Sequence, residues 1–102
     1  MLFQVTIFPT DNKSESASKA VSQVIDMIDK SGLPYKTSAM STIIEGDWPP
    51  VMALINKCRL KLLKRHSRLY IVITIDDRKG VKGRITGKID SIDKHLARKV
   101  KR

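Results

Sequence analysis

Apolar and polar positions alternate with a period of two in "LFQVTIF", residues 2–8: Phe3, Val5 and Ile7 point one way, Gln4, Thr6 and Phe8 the other. That alternation, in β-branched and aromatic residues, predicts a strand that Pro9 ends. A polar stretch, "TDNKSES", leads into a different period. Val21, Val24, Ile25 and Ile28 stand at the i, i+3, i+4, i+7 spacing of one buried helical stripe. "KSGLP" stops this helix, with Gly32 suited to the left-handed position past a helix end and Pro34 barring continuation. "YKTSA" and "STIIEG" read as two short strands. Asp47 then stands at a helix start, with Pro49 and Pro50 in a first turn that lacks N–H partners anyway. Val51, Leu54, Ile55, Cys58 and Leu62 form the buried face of this second helix. "RLYIVITID" is a strand with Leu69, Ile71, Ile73 and Ile75 on one side. Ile85, Ile89, Ile92 and Leu96 mark a final amphipathic helix, followed by a basic tail, about 97–102, expected to fray.

The order β-α-β-β-α-β-α predicts an α+β fold, a ferredoxin-like sandwich: a four-stranded antiparallel sheet, two helices on one face and an extra C-terminal helix. Residues 1–102 make a single domain with no repeat and no linker. The other sheet face would show Gln4, Thr6, Phe8, Tyr70, Val72 and Thr74, too apolar a mixture to leave in water. Sheet-to-sheet packing of a second copy would cover it, so a homo-oligomer is expected, with a ligand crevice between the faces.

Composition adjusts this picture in three ways. With only five aromatic residues the core must be aliphatic, and a lone cysteine, Cys58, excludes an internal disulfide or a multi-cysteine zinc site. No apolar run approaches the roughly 20 residues of a membrane span, and "MLFQVTIFPTD" reads as a strand, not a signal peptide, so a cytoplasmic location is expected. The net charge of +10 raises the possibility of a polyanionic partner. It is concentrated in two helical segments, Lys57 to Arg68 and Lys94 to Arg102, that contain no acids. Stacking aromatics are scarce and no RNA-binding sheet motif is present. A solvated basic surface is the simpler reading, and nucleic-acid binding through these helical faces is the alternative function.

Little in the chain points to catalysis. His66 and His95 lie in basic helical contexts and are expected to face solvent, and Cys58 to be a buried apolar thiol. There is no nucleophile elbow, phosphate loop or metal-ligand cluster. Asp76 and Asp77 in "IDDRKG" read as a strand end with turn chemistry, Asp76 pairing with Arg78. Glu45 is harder to place. It ends an apolar strand in "STIIEGDW", just before a glycine able to adopt unusual backbone geometry. Its carboxylate either caps the following helix, pairs with a basic residue of a neighbouring copy, or accepts hydrogen bonds from a ligand's N–H groups, with Ser38, Ser41 and Thr42 supplying hydroxyls. Ser16 and Ser18 could cap the first helix; Ser14 fits that role less well.

"SESASKAV", "SGLPYKTSAMSTIIEGDW" and "IDDR", in this order and spacing, resemble the small thiamine-binding family of ferredoxin-like proteins. The resemblance covers nearly the whole chain. It implies a homotetramer, a dimer of dimers, that binds thiamine or its hydroxymethylpyrimidine moiety without known catalysis and without another cofactor. The implied binding residues are Ser14, Ser16, Ser38, Met40, Thr42 and Glu45. The chain departs from many relatives in having Ala20 where they have a tyrosine. The expected function is thus a non-enzymatic carrier, buffer or sensor of a thiamine-related pyrimidine. An aminopyrimidine offers an exocyclic amine that a carboxylate accepts, and ring nitrogens that hydroxyls satisfy. Unmatched polar groups reject wrong ligands by about 1–3 kcal/mol each.

Overall fold

The alternation along the first strand has a direct structural consequence: Phe3, Val5 and Ile7 are buried, while Gln4 is exposed. The computed structural model describes residues 1–11, 17–80 and 83–101. The elements are β1 (Leu2–Pro9), α1 (Ala17–Lys30), β2 (Tyr35–Thr37), β3 (Thr42–Glu45), α2 (Trp48–Leu63), β4 (Leu69–Asp76) and α3 (Arg84–Leu96). The strands form one antiparallel sheet in the order β2-β3-β1-β4. This is the predicted α+β architecture.

Register places the apolar residues in rows on one face. Phe3 pairs with Ile44 and Ile75, Val5 with Ile73, and Ile7 with Ile71. Against this face pack Ala20, Val24 and Ile28 of α1 and Val51, Leu54, Ile55, Cys58 and Leu62 of α2, giving one aliphatic core. The α1 stripe is rotated from the sequence reading: Val21 is partly exposed, and Ala20 takes the central buried position. A small side chain at Ala20 lets the helix approach the sheet closely. Gly32 has φ of +78°, as a helix stop requires. Gly46 is needed for space rather than for backbone freedom, since an added Cβ would lie 2.9 Å from Val51 Cγ2. The Asp47 backbone starts α2, but its side chain makes no cap bond.

One expectation needs correction. His66 is buried, not solvent-facing. Its Nδ1 lies 3.0 Å from Asp11 Oδ1, and Asp11 Oδ2 accepts the Ser67 N–H at 2.7 Å. Burial alone would raise the Asp11 pKa; the bonds from His66 and Ser67 outweigh it and lower the value. The pair ties the end of β1 to the end of α2, a long-range contact that no local pattern encodes. The tail beyond α3 is also held: Arg98 N–H donates to the Asp93 carbonyl and Val100 N–H to the Asp93 side chain at 2.7 Å. The basic side chains of α2 from Lys57 to Lys64 face outward.

The opposite sheet face carries Leu2, Gln4, Thr6, Ile43, Glu45, Tyr70, Val72, Thr74 and Asp76. Here the third helix departs from the expected arrangement. The N-terminal half of α3 reaches over this face at the Leu2–Asp76 end, so part of the surface assigned to a second copy is covered by the chain itself. The distal half projects from the body, leaving Ile92 and Leu96 about half exposed. The radius of gyration, 15.3 Å, accordingly exceeds the roughly 13 Å of a compact chain of this length. If the core sits only between the sheet and α1/α2, Ile44→Ala should cost about 2–5 kcal/mol and Ile92→Ala much less in an isolated chain. Denaturant unfolding of the two variants measures this difference.

Candidate functional site

The space between the open sheet face and α3 is a crevice of about 520 Å³. This lies within the range of small-molecule pockets, roughly 300–1,000 Å³. Strand register builds its floor. Lys36, Ile43, Gln4 and Thr74 sit side by side on β2, β3, β1 and β4, and Leu2 lies next to Asp76 in the adjoining row. Helical spacing builds its roof: Arg84, Ile85, Lys88 and Ile89 face the sheet together, one turn apart. Leu2, Ile43, Ile85 and Ile89 give the crevice apolar walls, with polar groups towards its ends.

Glu45 holds the roof in place. Its Oε2 accepts the Arg84 N–H at 3.0 Å and its Oε1 the Ile85 N–H at 3.4 Å. These are N–H groups that a helix start leaves without internal partners. Gly83, at the helix start with φ of +70°, has no side chain to do this, so a strand residue 39 positions earlier serves instead. Burial would raise the Glu45 pKa, but the N–H groups of Arg84, Ile85 and Gly83 outweigh it and hold it below the usual value. Of the roles open to Glu45, capping is therefore the one observed, and the helix capped is α3 rather than the α2 that follows in sequence. The carboxylate supports the crevice from outside its lining.

Asp76 is the acidic group inside the crevice. Its Oδ2 accepts from Arg84 Nη2 at 2.5 Å and from Lys88 Nζ at 2.6 Å, not from Arg78 as expected from the turn. Hydrogen bonds from Arg84 and then Lys88 hold the Asp76 carboxyl well below the usual carboxylate range. Arg84 is buried, and its guanidinium also donates to the Asp76 carbonyl. Bonding to Asp76 raises its own pKa in turn.

The sequence-derived site residues fall in three places. Ser14 and Ser16 lie outside the described residues. Met40 and Thr42 line a second, smaller hollow of about 160 Å³ between α1 and the sheet. There the buried Thr42 hydroxyl lies 2.7 Å from that of Thr37, and Met40 is exposed. Ser38 borders both spaces, and Glu45 stands at the far end of β3. Gln4, Lys36, Thr74, Arg84 and Lys88 were missed as site residues. The helical spacing of Ile85 and Ile89 was visible, but only the tertiary structure shows what they face and brings Arg84 and Lys88 in beside them. Cys58 lies in the other layer, where burial pushes its thiol up to about 11. Among the described residues no cluster of His, Cys, Asp or Glu could hold a metal ion, and no helix is long and apolar enough to cross a membrane.

Because the folded pKa of Glu45 is depressed, its stabilisation of α3 is complete above the ordinary glutamate value of 4.5 and is lost as pH falls through the lower folded value. Glu45→Ala should remove the cap at a cost of about 1 kcal/mol. It should also speed amide exchange at Arg84 and Ile85 while leaving the core strands protected. Hydrogen exchange read residue by residue, at neutral pH and again below pH 4, checks both effects.

A family model described as "Thiamine-binding protein" matches residues 3–93. A UPF0045 protein from Mycobacterium bovis is 36% identical over 85 residues, which cover 82% of this chain and 83% of that protein. The UPF0045 protein YqgV from Bacillus subtilis is 31% identical over 97 residues, covering 90% of this chain and 93% of its own length. Among solved structures, a hypothetical protein from Methanocaldococcus jannaschii superposes with a TM-score of 0.79 at 27% identity, covering 89% of this chain and 93% of that one. A Thermotoga maritima protein named for a proposed role in thiamine biosynthesis or salvage has a TM-score of 0.78 at 18% identity, covering 89% and 96%, and shares the fold. With the fold, the sequence match over most of the chain and the shared architecture in agreement, this chain belongs to the thiamine-binding protein family.

Proposed function

We propose that this protein binds thiamine or a related aminopyrimidine in the crevice between the sheet and α3, without transforming it, as a carrier, buffer or sensor. The observation that carries this reading is a crevice of suitable size with apolar walls and a carboxylate at one end, in a chain of the thiamine-binding family. An aromatic pyrimidine fits between Leu2 and Ile43 below and Ile85 and Ile89 above. Asp76 accepts from the exocyclic amine, and Gln4 and Thr74 offer donors and acceptors to the ring nitrogens. The carboxylate envisaged from the sequence is thus supplied by Asp76, with Glu45 positioning the helix that closes over the ligand. Ser38 is the sequence-derived site residue that lines this crevice directly. A binding role is supported by the family's description as thiamine-binding. Neither Cys58 nor a histidine reaches the crevice lining.

The same reading includes self-association. Tyr70, Val72, Ile92 and Leu96 leave apolar surface exposed beside and beyond the crevice. A second copy covering it would enclose the open side of the ligand, consistent with a tetramer built as a dimer of dimers. Location in the cytoplasm accords with such a role for a small carrier.

Calorimetric titration with thiamine and with hydroxymethylpyrimidine should give saturable binding, and mass spectrometry should recover the ligand unchanged. Thr74→Trp, which fills the crevice from an exposed strand position, should weaken binding by at least about tenfold. Full affinity in that variant would place the ligand elsewhere. Light scattering after size exclusion should report a multiple of the 11.5 kDa chain. Ile92→Asp should reduce it.

A further inference from the structure

The crevice carries more positive charge than its one carboxylate offsets. Lys36, Arg84 and Lys88 line it together with Asp76. Asp76 is committed to Arg84 and Lys88 at the β4 edge. Lys36 lies at the opposite edge, on β2, with no acidic partner among the described residues. The two ends are three strand spacings apart, about 14 Å. A cationic thiazolium would gain nothing at the Lys36 end, and a neutral hydroxymethylpyrimidine would leave it empty. A phosphate monoester, carrying about −1.5 to −2 charges at neutral pH, would offset the excess.

We infer that the ligand is a phosphate ester of thiamine, long enough to span the trough: its pyrimidine lies against Asp76, and its phosphate reaches Lys36 at the β2 edge. This rests on the binding site proposed above and specifies its chemistry further. Two features carry it. The cation at the β2 edge is exposed and has no acidic partner among the described residues, so it is placed to bond to an oxyanion. The length of the trough separates the two ends, so the phosphate need not displace Arg84 or Lys88 from Asp76. Charge-assisted bonds of this kind are stronger than neutral ones, so the ester should be distinguished from its alcohol by phosphate recognition alone.

The test compares hydroxymethylpyrimidine, its phosphate ester, thiamine, thiamine monophosphate and inorganic phosphate by calorimetry on the full chain at low and physiological ionic strength. Thiamine monophosphate should bind at least about tenfold tighter than thiamine, with the advantage shrinking as salt rises and with hydroxymethylpyrimidine phosphate, too short to span the trough, gaining less. Lys36→Gln should abolish that advantage, weakening the ester far more than thiamine, and Lys36→Arg should restore it. Binding of alcohols and esters with equal affinity would overturn this inference and leave the proposed site standing. The inference would equally fail if Lys36→Gln weakened all compounds alike. If inorganic phosphate bound as tightly as the esters, the β2 edge would be a site for the free anion and the inference would be wrong. No binding by any heterocycle would remove the proposed function and this inference together.

Discussion

The carboxylate of Glu45 joins two parts of the chain that would otherwise have little to hold them. Helix α3 begins at a glycine with left-handed backbone and has no side-chain cap of its own. Its first N–H groups would lie unpaired against an apolar sheet surface, where an unmet donor costs about 1–3 kcal/mol. Glu45, at the end of a short strand beside Leu2, meets them. The helix is then fixed at an angle that places Ile85 and Ile89 over Leu2 and Ile43, and the crevice exists because that angle leaves space between them.

The Asp76 cluster gives the same helix a second point of attachment. Arg84 is buried and grips both the side chain and the carbonyl of Asp76, and Lys88 reaches the same carboxylate from the next turn. One contact lies on β3 and the other on β4, so α3 bridges the sheet across the central strand β1. The contacts with Glu45 and Asp76 lie in the helix N-terminal half, while Ile92 and Leu96 in the other half stay about half exposed.

This arrangement keeps the core and the crevice on opposite faces of the sheet. The aliphatic core lies between the sheet and α1/α2 and contains no group that the crevice uses. The buried His66–Asp11 pair belongs to that layer too, fastening the end of β1 to the end of α2. Polar and charged residues that would weaken a core can therefore gather on the opposite sheet face, where water reaches them and only α3 must be held.

The sequence by itself determined the elements and the inner core, because periods of two and 3.6 are local properties of a chain with one strongly apolar face per element. Phe3, Val5, Ile7 and the α2 stripe were all readable in this way. Small shifts escaped it: whether Val21 or Ala20 is central depends on how closely α1 approaches the sheet. The site was readable only in fragments. Glu45 stood out as a carboxylate in need of a partner, but the partner lies 39 residues away, on a helix whose own pattern does not say which sheet face it will meet. Asp76 looked like turn chemistry until α3 brought Arg84 and Lys88 to it, and Lys36 gained meaning only when register set it in line with Gln4 and Thr74. Long-range electrostatic and hydrogen-bonding partners have no period, so folding in three dimensions alone decided them.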